Sequence, residues 1–176
     1  MQHVCRTFEV SERRACRALQ QPRSTQRYRP GEDVEERRLV RRMLDETPVE
    51  RLRLSSVEPM DWSDDLIQLV AESPRIAKHV HAPLQSGSDT VLRRMHRKYR
   101  PRHYEDRIRR ARVAMPECGV GADVMTGFPG ETDAEFEDSR AFIEALPFTY
   151  LHVFTYSARP GTPAANAPQV PMEVRK

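Results

Sequence analysis

No run of eighteen apolar residues occurs in the 176-residue chain, and its opening, MQHVCRTFEVSERRACRALQQ, has no apolar core of the kind a secretory signal carries. A membrane helix needs about 20 such residues, so no span is expected and the reading places the chain in the cytoplasm. Cysteine is scarce and scattered. Cys5 and Cys16 stand with ten residues between them, and Cys118 sits alone in PECG. An odd number at irregular spacing is no disulfide framework, and a metal site needs ligands gathered by short spacing. The thiols therefore read as free, with no shared role. Three enzyme signatures are missing as well. There is no G-x-S-x-G, no G-x-G-x-x-G and no G-x-x-x-x-G-K-[ST], so a nucleophile elbow, a dinucleotide loop and a P-loop find no support.

What is present fits a globular domain with a real core. The apolar share is 38%, and the charged share of 31% is above the usual quarter. The net charge of +3 is unevenly spread: residues 93–112 hold ten Lys or Arg and two acids, and residues 117–144 hold eight acids and one Arg. A basic stretch of this kind permits RNA contact, and it equally suits a solvated helix face.

The hydrophobic period divides the chain. Residues 1–32 carry none and read as poorly ordered, or as a displaced remnant of something else. Beyond them Val34, Leu39, Val40, Met43 and Leu44 fall near one helical face. RLRLSS (51–56) alternates as a short strand. Ser63 caps a helix that buries Leu66, Ile67, Leu69 and Val70. KHVHAPL (78–84) is a second strand, followed by a short helix capped by Ser88. Pro101 opens another helix at its first position, with Tyr104, Ile108 and Ala111 inward. VGADVMTG (120–127) is the third strand, and GFPGE is a tight loop after it. Thr132 and Glu135 form a capping box on a helix expected to bury Phe136, Phe142, Ile143 and Leu146, with Pro147 ending it. YLHVFTY (150–156) is the fourth strand; SARPGTPAANAPQVPMEVRK (157–176) after it is rich in Pro and Ala, and residues 166–176 are expected to form an extended tail. Strands alternating with helices imply an α/β fold with a parallel sheet, open or part of a barrel.

Ligands of parallel sheets gather at the carboxyl ends of the strands. Here those ends are SSVEP, PLQSGSD, TGFPGET and FTYSARPGTP, all polar, small or Gly/Pro-rich. Gly127 and Gly130 allow a sharp turn or a close backbone approach, and the helix start at Thr132 suits an anion. The same segment reads equally as a plain turn with a capping box. Gln85 and Ser86 offer donors and acceptors, while their loop also reads as a simple helix cap. Glu58 is a candidate base or amine binder, or a salt-bridge partner. His79 and His81 share one face of a strand. Two histidines without a third ligand make no metal site, and His152 is not counted as that third.

Four segments carry a resemblance: RLRLSSVEP, HVHAPLQSGSDTVLRRMHRKY, GADVMTGFPGETDAEF and LPFTYLHVFTYSARPGTPAA. In this order they resemble successive strand-and-loop blocks of the radical-SAM methylthiotransferases that act on tRNA. The resemblance is to the type acting on threonylcarbamoyladenosine or isopentenyladenosine at position 37, and the last block looks most like the threonylcarbamoyladenosine branch. The similarity runs from Val34 to Ala165. It implies a partial (β/α)6 barrel of TIM-like build, of which residues 33–165 would hold the last four parallel strands. It implies S-adenosylmethionine and [4Fe–4S] clusters as cofactors, tRNA as substrate, and methylthiolation at C2 of adenosine 37. On this resemblance the residues expected to face S-adenosylmethionine are Ser55, Glu58, Gln85, Ser86, Gly127, Phe128, Pro129 and Tyr156. No catalytic or metal-binding residue is assigned.

The family's C-x-x-x-C-x-x-C loop does not occur in this sequence. The cluster is therefore not expected to bind this chain alone, and the chain reads as a truncated member, inactive by itself. Two other readings stand beside it: an RNA- or partner-binding remnant, and an unrelated α/β enzyme with a phosphate loop at 127–130. Exposed sheet edges are expected to favour association.

Overall fold

The computed structural model describes residues 35–175. The segment expected to be displaced, with Val34, Cys5 and Cys16, lies outside the described residues. A three-stranded parallel sheet of order β1-β2-β3 organises the rest. Its strands are β1 His79–His81, β2 Gly119–Thr126 and β3 Tyr150–Thr155. The helices are α1 Glu35–Glu46, α2 Asp64–Glu72, α3 Asp89–Arg94, α4 Pro101–Ala114, α5 Asp133–Glu144 and α6 Met172–Arg175.

The expected first strand does not form. Leu52 alone bridges to Ile76, in parallel sense. Its N–H donates to the Arg75 carbonyl at 2.8 Å and its carbonyl accepts from Ala77 at 2.9 Å. The next link is Val57 N–H to the His81 carbonyl at 3.2 Å. Between these points the ladder is broken by side chains. Arg53 reaches His79, and the Ser55 hydroxyl and Ser56 amide reach the His81 ring. Ser56 takes a left-handed φ of 56° there. The segment still runs beside β1, so the α/β parallel architecture of a partial barrel stands with three strands in place of four.

The helices follow the local chemistry of their ends. Ser63 accepts from Leu66 N–H at 3.2 Å, and Leu66, Ile67, Leu69 and Val70 are buried as expected. Pro101 sits at the start of α4, where its missing N–H costs nothing, and Tyr104, Ile108 and Ala111 are buried. Thr132 and Glu135 complete a reciprocal capping box. Ser88 stands at the cap position of α3 without capping it; its hydroxyl bonds Thr90 at 2.9 Å instead.

Two helix faces differ from expectation. In α1 only Val40 is buried, with Leu44 partly so, while Leu39 and Met43 face solvent. In α5 Ser139 is buried, Phe136 is exposed, and Phe142 and Ile143 are half-buried; Leu146 is buried just past the helix end. The core lies between the sheet and α2, α4 and the loops, around Trp62, Leu66, Leu84, Tyr104 and Val120. Residues 166–175 are not simply extended: a 3-10 turn at Pro163–Asn166 and the short α6 fold the tail back.

Candidate functional site

The three strands end together at one edge. Leaving β1, Gln85 adopts φ 64° and pairs its backbone with β2: its N–H donates to the Asp123 carbonyl at 2.7 Å, and its carbonyl accepts from Met125 at 2.8 Å. Leaving β2, Gly127 adopts φ 70°, a conformation that only glycine takes without strain. Leaving β3, Tyr156 donates its N–H to the Thr126 carbonyl at 2.8 Å and lies edge-on to Phe128, with ring centroids 5.5 Å apart.

Gln85, Met125, Phe128 and Pro129 line one cavity of about 570 Å3, closed on the other side by Arg94, Arg97 and the 3-10 turn at Pro163. Apolar and aromatic walls with one amide and two guanidinium groups suit a polar ligand with a flat apolar part. Gly127 faces a second cavity with Glu131, Val174 and Arg175. Tyr156 is buried beside it, with its hydroxyl unpaired and the Arg175 guanidinium 5.7 Å from its ring centre.

The other expected site residues stand elsewhere. Ser86 is buried and bonds Ser139 at 2.8 Å, so it shapes the loop rather than facing the cavity. Glu58 is an ion-pair partner, its carboxylate 2.9 Å from Arg97. Ser55 lies against His81 on the face of the sheet, away from the cavity lining.

The GFPGE loop does not offer a vacant anion nest. The Gly127 amide donates to the Glu131 carboxylate, and Gly130 N–H donates to the Pro168 carbonyl at 3.0 Å. Burial pushes the Glu131 carboxyl up, against the pull of the Gly127 and Phe128 amides. The capping box takes the first free donors of α5. A phosphate would have to displace the chain's own carboxylate.

The basic stretch is also largely spoken for. Arg93 pairs with Asp89, Arg94 with Glu135, Arg107 with Asp64, Arg109 with Glu105, and Arg110 with Asp106 and Asp64. This is the arrangement of a solvated, ion-paired helix face.

Asp123 is a residue that motif reading missed. It stands on β2 within reach of His81 and His152. The signal was its parity: residues 121, 123 and 125 share one face of β2, and only the register sets that face beside the histidines. His79, beside them, is held below its ordinary pKa by burial and then by Arg53.

A parallel α/β sheet with its receptive residues at the strand ends fits the superfamily that the sequence matches. The radical SAM superfamily is matched over residues 23–143, and the chain belongs to it. Among curated proteins it is similar to tRNA-2-methylthio-N(6)-dimethylallyladenosine synthases. That of Endomicrobium trichonymphae is 42% identical over 146 residues, 82% of this chain and 35% of that protein. That of Thermus thermophilus is 42% identical over 135 residues, 76% of this chain and 29% of that protein. That of Acidothermus cellulolyticus is 46% identical over 127 residues, 72% and 26% of the two chains. The chain thus spans about a third or less of the length of these relatives. The match removes the reading of an unrelated α/β enzyme.

S-adenosylmethionine and a [4Fe–4S] cluster are the superfamily's cofactors. Among the described residues the sole thiol is Cys118, which is buried, and burial pushes it above its ordinary pKa. It lies just before β2, at the end of the strand opposite the cavity. One buried thiol does not fit a cluster held by several thiolates. No helix of the described residues is long and apolar enough to cross a membrane.

Proposed function

We propose that this chain forms an S-adenosylmethionine-facing wall of a tRNA adenosine methylthiotransferase and does not carry out the reaction alone. One observation carries the reading: Gln85, Met125, Phe128 and Pro129, from two of the four resembling blocks, meet around a single cavity at the strand ends. The Phe128 ring and Met125 side chain suit an adenine face, and the Gln85 amide suits its polar edge. The names of the relatives favour dimethylallyladenosine over threonylcarbamoyladenosine as the modified nucleoside. Electron delivery to S-adenosylmethionine belongs to the cluster, and the buried Cys118 supplies no site for it. In the superfamily a cluster would also hold the ligand, so this wall by itself contributes only part of the ligand's affinity.

Calorimetry with S-adenosylhomocysteine tests the wall. Weak binding to the purified chain is expected, lowered at least about tenfold by Phe128→Ala, the loss of one well-buried aromatic contact. No binding, or binding that Phe128→Ala leaves unchanged, overturns the site. Reconstitution with iron and sulfide tests the second half. A [4Fe–4S] spectrum with reductive cleavage of S-adenosylmethionine would overturn the claim of inactivity.

A further inference from the structure

Three side chains converge on one face of the sheet, outside the strand-end cavity. β1 presents His81, β2 Asp123 and β3 His152. Asp123 and His152 are register partners, and His81 pairs with Gly121, two residues before Asp123 on the same face. Gly121 leaves room for the Tyr150 ring, which a Cβ at that position would overlap. Tyr150 stacks on His79 and His81 at centroid distances of 5.8 and 6.1 Å. The rings fix the His81 imidazole and direct it toward Asp123.

The donor geometry is that of a small cation site. Asp123 Oδ1 is 3.3 Å from His81 Nε2 and 3.3 Å from His152 Nδ1. One donor atom from each of the three residues lies within 4.8 Å of the others. A tetrahedral ion with bonds of about 2.0–2.1 Å sets its donors about 3.3–3.4 Å apart, so two of the three edges already have the required length. The third closes by a swing of His152, whose side chain is 53% exposed. A second observation is independent of these distances. His81 is 4% exposed, yet its Nε2 has no hydrogen-bond partner. The carboxylate beside it is near enough to attract but lies off the line of a hydrogen bond. Buried polar atoms are normally paired, and an unpaired one aimed at a carboxylate and a second imidazole marks a place for a ligand.

We propose that His81, Asp123 and His152 bind a divalent transition ion of the zinc class. Two imidazoles and one carboxylate select such ions over magnesium and calcium, which take oxygen ligands. The exposed side of His152 leaves open positions for water or a substrate oxygen. When Nε2 of His81 holds the ion, the ring proton sits on Nδ1 and donates to Ser55 Oγ, 3.0 Å away. The Ser56 N–H, 3.2 Å from the same nitrogen, must then turn aside, which tempers the affinity. The site lies outside the strand-end cavity and does not rest on the proposed function.

Titration of the purified full chain with cobalt(II) tests it. The expected result is one ion per chain, with visible d–d bands of a four- or five-coordinate site, displaced by zinc and not by magnesium. His152→Ala and Asp123→Asn should each weaken binding at least about tenfold, as losses around metal sites do. His152 is half exposed, so its removal spares the fold; unchanged circular dichroism checks this. Absence of a stoichiometric cobalt spectrum overturns the proposal, as does equal competition by magnesium. Binding that survives both variants also overturns it. So does binding lost only in a Cys5→Ser, Cys16→Ser chain, with sulfur-to-cobalt charge transfer in the starting spectrum.

Discussion

Among single residues, Glu135 carries the most charge-dependent contact. It closes the capping box at Thr132 and accepts from Arg94 at 2.6 and 2.9 Å. Chiefly through Arg94, its carboxyl falls to a pKa of about 2. An unfolded glutamate titrates near 4.3, so the folded state favours the charged form. The stability gained is complete above about pH 4–5 and disappears as pH falls through about 2. Glu135→Gln keeps the cap, since glutamine also closes a capping box, and removes the charge. A loss of about 1–2 kcal/mol at pH 7 is expected, allowing for solvent screening of Arg94. Urea unfolding at pH 7 and pH 3 checks it: the gap between the two chains should narrow at the lower pH. Glu58 contrasts with it. Its pair with Arg97 is open to solvent on both sides, which makes Glu58→Gln a change of well under about 1 kcal/mol.

The capping box, the Ser63 cap and the inward faces of α2 and α4 were legible in the sequence because each depends on neighbours within one or two turns. The pairing of Asp123 with two histidines was not, because it depends on how three strands are staggered. Phe136 misled for a related reason: apolar character places a residue on a helix face only where something packs against that face.

Between elements, the join of α5 to the loop Gln85–Ser88 rests on one hydroxyl. Ser139 Oγ accepts from the Gly87 and Ser88 amides, both at 3.1 Å, and lies 2.8 Å from Ser86 Oγ. Gly87 sits so close to α5 that a Cβ would come within 2.8 Å of the Ser139 Cα. The sequence gives the helix and the loop but not their meeting, since a serine inside a helix advertises no partner. Ser139→Ala strips the buried Gly87 amide of its acceptor and leaves the Ser88 amide with Ser86 Oγ alone, 3.1 Å away. The expected cost is about 2–3 kcal/mol. Amide exchange should accelerate at Gly87 and Ser88 more than across β2, and ligand affinity at the neighbouring Gln85 should fall with it. Uniform acceleration over the whole chain would instead mean a general loss of packing. The broken ladder at residues 51–57 obeys the same logic. Arg53, Ser55 and Ser56 spend their polar groups on His79 and His81, and a strand that reads as regular by alternation becomes a bridge at Leu52.

At the scale of the molecule, the sheet is unbalanced. β1 is buried throughout, whereas among the described residues β3 pairs with β2 alone, and it exposes Val153 at 58% and Phe154 at 54%. Successive residues of a strand point to opposite faces, so both faces of β3 present an apolar side chain to solvent. An edge strand of this kind is a template for pairing with another chain, and natural edges are usually guarded by charge or proline. No lysine, arginine or proline interrupts Tyr150–Thr155. Self-association through β3 is therefore expected, growing with protein concentration and little weakened by salt, because the contacts are apolar and main-chain. Val153→Lys with Phe154→Lys should leave far-ultraviolet dichroism unchanged and restore a monomer in sedimentation velocity. The exposed positions make the substitutions inexpensive for the fold, and two like charges on adjacent chains oppose pairing on either face. If the starting chain is monomeric at every concentration, or the doubly substituted chain associates as strongly, then the bare edge is not what drives assembly. The basic and acidic surfaces of α4 and α5 would then be the place to look, and salt would dissolve the contact.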